Sequence, residues 1–410
     1  MTFNDVTRLL THNAANQGIQ YGLGRIKKAL DELENPQDHL VNPIHIAGTN
    51  GKGSTTAYIT SALIEAGYSV ATYTSPHIQC YTERFKINNC AISQEKFVHY
   101  FEIVEALKSK NQLTEFEKLT IMAFLYFKDE TPQFCIFETG LGGLLDATNV
   151  ITPIVTAISK IGIDHEDLLG NTVEEIALQK AGIIKSRIPI IISRQAISVL
   201  HVIRKTAQNL EAPLVVSDSD LTLPEEALMQ GEFQKENRAL ARKVLMLLPI
   251  TYSKKKDILE RGLNKAKMWG RFNIYANALQ TIIVDGAHNI DGVEALLIAL
   301  EKEFPHTPFS FLVGLNKNKE YKRMAQLIAD KCTRFYYCQF DSQIAASSED
   351  LKLTIPQDKW TPYAIQELDK LPIDSHLVIC GSLYFLEHIQ KIITKNKSLK
   401  EGSPLKATTT

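Results

Sequence analysis

The most informative part of the sequence is residues 44–56, which read Ile-His-Ile-Ala-Gly-Thr-Asn-Gly-Lys-Gly-Ser-Thr-Thr. Residues 44–47 predict a buried β-strand and residues 54–66 predict a helix, so a glycine-rich turn joins a strand to a helix. The three glycines let backbone N–H groups surround phosphate oxygens, while the helix N-terminus and the Lys52 ammonium attract negative charge. The stretch therefore predicts a phosphate-binding loop formed by Gly48, Thr49, Asn50, Gly51, Lys52, Gly53 and Ser54.

This loop is a shorter variant of the common phosphate loop. Ile46 stands where the pattern G-x-x-x-x-G-K-[ST] has its first glycine. The residues alone leave one alternative open, a glycine-rich turn that binds no ligand.

The chain around the loop alternates short β-rich runs with helical segments, which is typical of βαβ units on a parallel sheet. The predicted strands are 44–47, 69–74, 134–139, 154–159 and 189–193, and the predicted helices are 54–66, 117–128 and 173–181. We expect helices to cover both faces of this sheet.

A second alternating series follows the lysine-rich stretch 253–267 and the segment Met-Trp-Gly-Arg-Phe, 268–272. Its predicted strands are 281–287, 309–314, 334–338 and 376–381, and its predicted helices are 292–303 and 321–330. The predicted α/β architecture is an N-terminal P-loop-type ATPase domain with a mostly parallel sheet, residues 1–270, and a smaller C-terminal Rossmann-like domain, residues 271–394. The polar tail, residues 395–410, is predicted to be disordered.

The amino-acid composition argues against several classes of function. The 410 residues include 45 Lys plus Arg and 46 Asp plus Glu, so the net charge of −1 argues against sequence-independent nucleic-acid binding. The six cysteines form no C-x-x-C pair, which predicts reduced thiols rather than a metal or disulfide framework. The first residues lack a signal-peptide pattern, and the apolar runs are short. We expect a cytoplasmic monomer with small-molecule substrates and no membrane or nucleic-acid partner.

Six motifs in order resemble one known family. They are Gly-Thr-Asn-Gly-Lys-Gly-Ser at 48–54, the segment 74–85 that begins Thr-Ser-Pro-His, Glu-Thr-Gly-Leu-Gly-Gly within 138–150, Asp-His-Glu-Asp within 164–172, Gln-Lys-Ala-Gly within 179–185, and Val-Asp-Gly-Ala-His-Asn at 284–289. Together they resemble the folylpolyglutamate synthase and dihydrofolate synthase branch of the Mur ligase superfamily, over about residues 20–390.

The resemblance implies an ATP-dependent amide ligase. Such enzymes phosphorylate a substrate carboxylate, and the amino group of glutamate then attacks the acyl phosphate to give an amide, ADP and phosphate. The implied substrates are ATP, L-glutamate, dihydropteroate and reduced folates. Because phosphate charge must be neutralised, two Mg²⁺ sites are also implied.

The resemblance assigns metal and catalytic roles in the N-terminal domain. Glu138 and His165 match magnesium ligands, and Ser75 matches the serine whose hydroxyl completes the first magnesium site. Lys180 matches a lysine that CO₂ carbamylates, which turns a cation into an oxygen ligand. The alternatives are a strand-end carboxylate at Glu138, a solvated loop histidine at His165, a turn-forming serine at Ser75 and a helix-surface lysine at Lys180.

Further nucleotide contacts are implied near and beyond the domain boundary. Arg271 is expected at the ATP phosphates, Asp285 at the ribose, and His288 near the acyl phosphate. Because these residues belong to the second domain, catalysis is expected to require domain closure. Asn237 is expected on the adenine side, although Phe233 replaces the histidine that the family usually carries. A carboxylate that only caps a turn is the alternative for Asp285.

The implied dihydropteroate pocket combines three segments. Its residues are Gln20, Tyr21, Gly22, Thr114, Glu115, Phe116, Glu117, Leu145, Asp146 and Ala147. Asp146 could accept two hydrogen bonds from the aminopyrimidine, and Phe116 could stack on its ring. Gln20 replaces the family's usual acid and Leu144 replaces its frequent arginine. Ordinary turn or core packing is the alternative for each position.

Three other functions are alternatives to an ATP-dependent folate ligase. A nucleotide switch or binding module would need a guanine-reading motif, and it would not need Asp285 and His288 in a second α/β domain. A cell-wall Mur ligase is disfavoured by segments 74–85 and 145–149. A monofunctional folylpolyglutamate synthase is the closest alternative, since Gln20 and Leu144 weaken the case for dihydropteroate.

Overall fold

The computed structural model describes residues 1–17, 22–218, 222–277, 280–341, 343–368, 370–372, 374–396 and 399–401. The chain divides into two compact units, one of Met1–Thr222 and Glu236–Ala266, the other of Leu223–Lys235 and Lys267–Thr410. The sequence placed a single boundary at residue 270 and did not anticipate that 223–235 group with the second unit. The physical reason is that Phe233 packs edge-on against Phe272 in the second unit's core, a contact that no local pattern reveals.

One eight-stranded sheet organises the first unit. Its strands are β1 Pro43–Ala47, β2 Val70–Tyr73, β3 Phe85–Ile87, β4 Cys90–Ala91, β5 Phe134–Glu138, β6 Val155–Ile158, β7 Ile190–Ile192 and β8 Leu214–Val216. The order is β4-β3-β2-β5-β1-β6-β7-β8, with parallel pairing from β2 to β8 and an antiparallel edge at β3 and β4. All five residues of β1 are buried, as expected for the centre of a parallel sheet.

The helices of this unit are α1 Phe3–Gln17, α2 Gly24–Glu32, α3 Lys52–Glu65, α4 Gln94–Glu105, α5 Glu115–Glu130, α6 Glu166–Leu169, α7 Val173–Ala181, α8 Ile197–Asn209, α9 Glu232–Leu247 and α10 Tyr252–Asn264. Of these, α1 and α2 precede β1, α3 to α8 lie between strands, and α9, whose first four residues belong to the second unit, and α10 follow β8. Apolar residues of α1, α2, α4 and α5 form one core with β2 and β5, and those of α7 and α8 form another with β6 and β7. Helix α3 packs on β1, β2 and β5 and against α10.

The second unit is also α/β. It contains β9 Asn273–Ala276, β10 Thr281–Asp285, β11 Ser310–Gly314, β12 Arg334–Cys338, β13 Trp360–Tyr363, β14 His376–Gly381 and β15 Lys400–Glu401, with helices α11 Ile290–Glu303, α12 Tyr321–Lys331, α13 Ser348–Lys352 and α14 Leu383–Lys395. The strand order is β13-β12-β11-β14-β10-β9-β15, parallel from β13 to β10 and antiparallel at β9 and β15. The predicted α/β architecture is confirmed.

The described residues also contain five 3-10 turns, at Pro36–His39, Tyr81–Arg84, Lys110–Gln112, Ala147–Val150 and Ile365–Glu367. Of the tail predicted to be disordered, Lys400–Glu401 pairs with β9, and residues 402–410 lie outside the described part of the chain. In the described ranges, no helix combines the length and apolar character that a membrane span requires.

The sheet of the first unit presents one edge for ligands. Parallel strands β2, β5, β1 and β6 are neighbours, so their carboxyl ends meet at the same edge. Ligands of open α/β sheets bind outside the carboxyl ends, where the strand order reverses. Strand β1 lies at such a point, because the chain leaves β1 for β2 on one side and later passes from β5 to β6 on the other side of β1.

Candidate functional site

The phosphate loop leaves β1 at Ala47 and enters α3 at Lys52. Gly48 has φ 149° and Gly51 has φ 93°, both in the region that favours glycine. A Cβ at Gly48 would overlap the Ser159 hydroxyl, and one at Gly51 would overlap the side-chain amide of Asn237. The two glycines therefore permit a close approach by neighbouring segments, and Asn237 lies directly against the loop.

Part of the loop's backbone is already hydrogen-bonded. The N–H groups of Thr49 and Asn50 both donate to the carbonyl of Lys160, at 2.9 and 3.2 Å. The Thr49 hydroxyl also bonds to the backbone of Gly162, at 3.0 and 3.1 Å. Donors for a phosphate group therefore come from the first turn of α3, where N–H groups lack helical partners and the helix dipole is positive.

A brace from the next loop holds this arrangement. Gln195 donates from Nε2 to Ser159 O at 2.9 Å and accepts from the Ile161 N–H at 3.1 Å. These two groups flank Lys160, whose carbonyl binds the phosphate loop. Gln195 is not predicted from the sequence, because no local pattern links it to a loop about 145 positions earlier.

Lys52 lies over the loop, as predicted. Its Nζ donates to Gly48 O at 3.1 Å and to Thr49 O at 3.4 Å, and it is 3.9 Å from Oε1 of Glu138. Glu138 ends β5 and is buried, and its backbone pairs with Ile46 of β1. A cation and a carboxylate thus meet at the carboxyl edge of the sheet.

Lys180 is a buried amine in contact with the loop. It lies on α7, and its Nζ donates to Gly48 O at 2.9 Å. Burial, together with the nearby Lys52 charge, lowers the pKa of Lys180 to about 7, against the opposing effect of Asp164. The alternative of a helix-surface lysine is therefore wrong. A large fraction of this amine is neutral near pH 7, the form that can react with an electrophile such as CO₂.

The predicted metal ligands follow three strands that end at this edge. Ser75 follows β2, Glu138 ends β5, and His165 follows β6 and precedes α6. His165 is exposed on its side chain, with Nε2 3.9 Å from Oδ1 of Asp164. Among the described residues, no three His, Cys, Asp or Glu side chains lie close enough to hold a metal ion.

These donors still fit Mg²⁺ bound together with a nucleotide. Mg²⁺ in phosphoryl-transfer sites takes one or two protein carboxylates and fills the rest of its shell with phosphate oxygens and water. Glu138 supplies a buried carboxylate, and Ser75 supplies a hydroxyl from the neighbouring strand. Asp164, which the sequence analysis did not select, adds a second carboxylate near Lys180.

The Ser75 loop is held by two residues that sequence reasoning missed. The Glu83 carboxylate accepts from the N–H groups of residues 78, 79 and 80 at 3.0, 2.9 and 3.0 Å. Arg84 donates from Nε to Nδ1 of His77 at 2.9 Å. Burial and the Arg84 charge lower the pKa of His77 to about 3, so His77 is neutral and acts as the acceptor.

The predicted pterin residues at 114–117 form the first turn of α5. Thr114 caps this helix, and its N–H and hydroxyl donate to Glu117 at 2.8 and 3.0 Å. Glu117 also accepts from Arg25 at 3.2 Å. Glu115 is 3.7 Å from Nη1 of Arg84. These contacts explain the three side chains as a helix cap and ion pairs.

Phe116 is the residue of this turn that lies nearest the glycine-rich loop. A Cβ at Gly140 would come within 2.5 to 2.9 Å of its ring. Its ring centroid is 5.9 Å from that of Tyr73. An aromatic surface therefore lies beside the loop that follows Glu138. Gly22 has φ 127°, whereas Gln20 and Tyr21 lie outside the described residues.

Both carboxylate oxygens of Asp146 accept hydrogen bonds from residues within seven positions of it in the chain. Oδ2 accepts from the Leu141 N–H at 2.8 Å, and Oδ1 accepts from the N–H of Thr148 at 3.0 Å and from its hydroxyl. Burial raises the pKa of Asp146, and these bonds, with one from the Gly140 N–H, act against that rise. This geometry favours a structural role over direct pterin binding. Leu145 is exposed and Ala147 is buried.

In the second unit, the residues predicted from Val-Asp-Gly-Ala-His-Asn surround one strand end. Asp285 accepts from the N–H groups of Phe272 and Ala287 at 2.8 and 2.9 Å. Burial raises the pKa of Asp285 to about 6, opposed by the Arg271 charge. A Cβ at Gly286 would overlap the Arg271 guanidinium. Arg271 and Asp285 are therefore brought together.

His288 lies in the same turn. Its Nδ1 is 2.7 Å from Gly286 O, and since a carbonyl only accepts, Nδ1 carries the proton. Asn289 then caps α11 by accepting from the Gly292 N–H at 2.8 Å. The turn thus orients an imidazole at the N-terminus of a helix.

Comparisons with known proteins agree with this geometry. Residues 46–284 match the Mur ligase middle domain, and residues 270–382 match the Mur ligase, glutamate ligase domain. The chain is 36% identical to the dihydrofolate synthase/folylpolyglutamate synthase of Bacillus subtilis, over 93% of this chain and 96% of that protein.

Solved structures give the same result. The folylpolyglutamate synthase of Thermotoga maritima is 28% identical, with a TM-score of 0.82 over 97% of each chain. E. coli FolC in complex with DHPP and ADP is 25% identical, with a TM-score of 0.82 over 95% of this chain and 97% of that one.

Proposed function

This chain belongs to the Mur ligase family, in the branch of dihydrofolate and folylpolyglutamate synthases, and is an ATP-dependent ligase; we propose that it adds L-glutamate both to dihydropteroate and to reduced folates. The observation that carries the proposal is the meeting of Lys52, Glu138 and Lys180 at the phosphate loop. A cation that neutralises phosphate charge and a carboxylate that can hold a metal ion are groups that stabilise acyl-phosphate formation. The buried amine of Lys180 can supply a further oxygen ligand if it is carbamylated.

The residues of the first unit act on the nucleotide. The first turn of α3 binds phosphate oxygens, and Lys52 stabilises the charge that builds up as the terminal phosphoryl group moves to the substrate carboxylate. Glu138, Ser75 and His165 would hold Mg²⁺, which neutralises phosphate charge when it is bound. Asn237, against Gly51, borders the nucleotide on the other side of the loop.

Lys180 has a second role in this proposal. Its depressed pKa supplies the neutral amine that CO₂ needs in order to form a carbamate. The carbamate would place one negative charge, shared by two oxygens, near Lys52, where the charges of the two lysines now oppose each other. Carbamylation therefore removes an electrostatic conflict as well as creating an oxygen ligand.

The residues of the second unit complete the reaction. We assign Arg271 to the phosphates, Asp285 to the ribose, and His288 to the region of the acyl phosphate. The hydrogen bond from Nδ1 to Gly286 O orients the His288 ring, which suits a group that acts on the proton of the attacking amine.

One assay tests the proposal. Purified protein with ATP, Mg²⁺ and glutamate is given either dihydropteroate or tetrahydrofolate, and ADP and the glutamylated product are measured. We expect both acceptors to be used. Turnover of tetrahydrofolate alone would identify a monofunctional folylpolyglutamate synthase, and turnover of neither would contradict the proposal.

A further inference from the structure

A buried hydrogen-bonded chain runs beneath the glycine-rich loop that follows Glu138. It joins His45 of β1, Thr148 and Asp146, and it ends on the loop backbone at Leu141. We propose that His45 and Thr148 are positioning residues for the ligase reaction. They hold the loop 139–145 between β1 and α7, and so keep Glu138 and Lys180 in place at the phosphate loop. The inference rests on the proposed function.

The direction of the chain follows from its donors and acceptors. Asp146 receives N–H groups on both oxygens, so its carboxylate acts as an acceptor and the Thr148 hydroxyl donates to it. The Thr148 oxygen must then accept from His45, whose Nε2 is 2.8 Å away. His45 is therefore the tautomer with its proton on Nε2, and its Nδ1 has no hydrogen-bond partner among the described residues.

His45 stays neutral in this position. It is completely buried, and both burial and the nearby Lys185 charge lower its pKa to about 3. A neutral imidazole with a fixed tautomer donates one hydrogen bond in one direction. Since Thr148 is also fully buried, the donor and the hydroxyl cannot exchange their partners for solvent.

The neighbouring residue Asn149 ties the same turn to the other side of the loop. Its Nδ2 donates to Leu144 O and to Gly182 O, each at 3.0 Å. Leu144 in turn donates its N–H to Gln179 O at 2.7 Å. The turn 146–149 thus connects the loop to residues on both sides of Lys180 in the sequence.

These hydrogen bonds end on the backbone of segments that carry candidate site residues, which a role in core stability alone would not require. The protein groups that they fix are the Leu141 N–H, Leu144 O and Gly182 O, all within six residues of Glu138 or Lys180. Strand β1, which carries His45, continues into the phosphate loop three residues later. One network therefore fixes the three segments that carry Lys52, Glu138 and Lys180.

The test compares two buried threonines. Thr148→Val keeps the side-chain shape and removes the hydroxyl, and Thr148→Ser restores it. Thr156→Val is the matched control, because Thr156 is also fully buried and its hydroxyl bonds to Pro189 O on the neighbouring strand at 3.2 Å. For each variant, kcat and KM are measured with dihydropteroate and with tetrahydrofolate, together with thermal stability.

We expect Thr148→Val to lower kcat about tenfold or more with both acceptors, because small displacements of catalytic groups cost large factors in rate. The KM values should change by less than about threefold. Thr148→Ser should recover most of the rate, and Thr156→Val should lose stability without losing rate. A rise in the dihydropteroate KM alone would overturn the proposal and assign Asp146 to the pterin.

A second readout does not depend on turnover. Hydrogen exchange of the peptide that covers residues 139–149 should be faster in Thr148→Val, and unchanged in Thr156→Val. Unchanged exchange together with unchanged kcat would overturn the positioning role. If the unmutated enzyme used neither acceptor, the proposed function would fail, while the exchange comparison would still decide whether Thr148 holds the loop.

Should Thr148→Val not fold, His45 supplies the alternative pair. His45→Gln retains a donor near Nε2, and His45→Leu removes it. We expect the glutamine variant to be at least about fivefold more active than the leucine variant, with slower loop exchange. Equal kcat and equal exchange in the pair would contradict the proposal.

Discussion

The two units hold their candidate residues in different ways. In the first unit the contacts join distant positions, since Lys180 reaches Gly48 across 132 residues and His45 reaches Thr148 across 103. In the second unit they are mostly local, since Asp285 and His288 each bond to a backbone group two residues away. The first site depends on correct assembly of a whole sheet, whereas the second is built into one strand-end turn.

The two sites also differ in how they carry charge. The first brings the ammonium groups of Lys52 and Lys180 close to the carboxylates of Glu138 and Asp164. Burial, together with the Lys52 charge, lowers the pKa of Lys180, and Asp164 opposes this shift. The second places one buried carboxylate, Asp285, within the electrostatic influence of the Arg271 guanidinium. Catalytic charge is therefore concentrated in the first unit, and changes there should have the larger effects on rate.

The largest effect is expected for Lys52→Ala. The variant keeps the backbone of α3 and loses the charge held by Gly48 O and Thr49 O. Loss of one oriented cation should lower ATP-dependent turnover on the order of 100-fold or more, with little change in stability. Lys160→Ala is the control, because it retains the carbonyl that binds the loop and removes an exposed ammonium that donates only to the Arg194 carbonyl among the described residues. If Lys52→Ala turned over at nearly the wild-type rate, the assignment of residues 48–54 as a phosphate-binding loop would be contradicted.

Lys180→Ala should lose at least about tenfold in rate and regain part of it with added acetate, because a small carboxylate can occupy the oxygen positions of a carbamate. Turnover is measured with increasing acetate, and Lys160→Ala serves as the control that should gain nothing. Full activity of Lys180→Ala without rescue would show that the carbamate role is wrong.

The sequence predicted the features of the fold that depend on short, local patterns. The α/β class, the strands and helices of both series, and the positions of Lys52, Glu138 and Asp285 at strand ends or the helix start follow from periodicity and short motifs. Helices α1, α2, α4, α6, α8, α9, α10, α13 and α14 and strands β3, β4, β8, β9, β13 and β15 were not predicted. These strands contain only two to four residues, which is too short for a clear alternating pattern.

The candidate site was predicted less completely for the same reason. Thr114 and Glu117 were assigned to a pterin pocket, although the pattern Thr-x-x-Glu is also a capping box, and the structure forms that cap. Gln195 and Glu83 were missed because their partners are backbone groups, which no residue type reveals. Thr148 was missed because one partner of its hydroxyl is the side chain of His45, 103 residues earlier. A motif locates the reactive side chain and leaves its supports unspecified.

The pH dependence of the free energy of unfolding tests whether burial among the crowded charges of the first unit lowers the pKa of Lys180. The pKa of Lys180 is lowered from 10.5 to about 7, so between these values the unfolded chain binds more protons than the folded one. Stability contributed by this group therefore rises with pH across that window, by at most about 1.4 kcal/mol per pH unit. In CO₂-depleted buffer, the wild type should gain stability relative to Lys180→Met from pH 7 to pH 9. Parallel curves in denaturant titrations would contradict the depressed pKa.

The smallest effect is expected for Gln195→Ala, which tests whether distant bracing controls nucleotide binding in the first unit. The variant removes two hydrogen bonds to the segment whose Lys160 carbonyl holds Thr49 and Asn50. A loss of about 1 kcal/mol in loop order corresponds to a rise of about fivefold in the KM for ATP.

Gln280→Ala is the matched control for this prediction in the second unit. Gln280 is also half-buried and also donates to backbone, to the carbonyls of Pro372 and Asp374, but it lies at the amino end of β10. Both variants should lose similar stability in thermal melts, since each breaks two bonds of the same kind. Only Gln195→Ala should raise the KM for ATP, because its bonds act on the carboxyl edge of the sheet. Equal KM values in the two variants would mean that the phosphate loop keeps its shape without the brace, so that the bonds of Thr49 and Asn50 to Lys160 suffice.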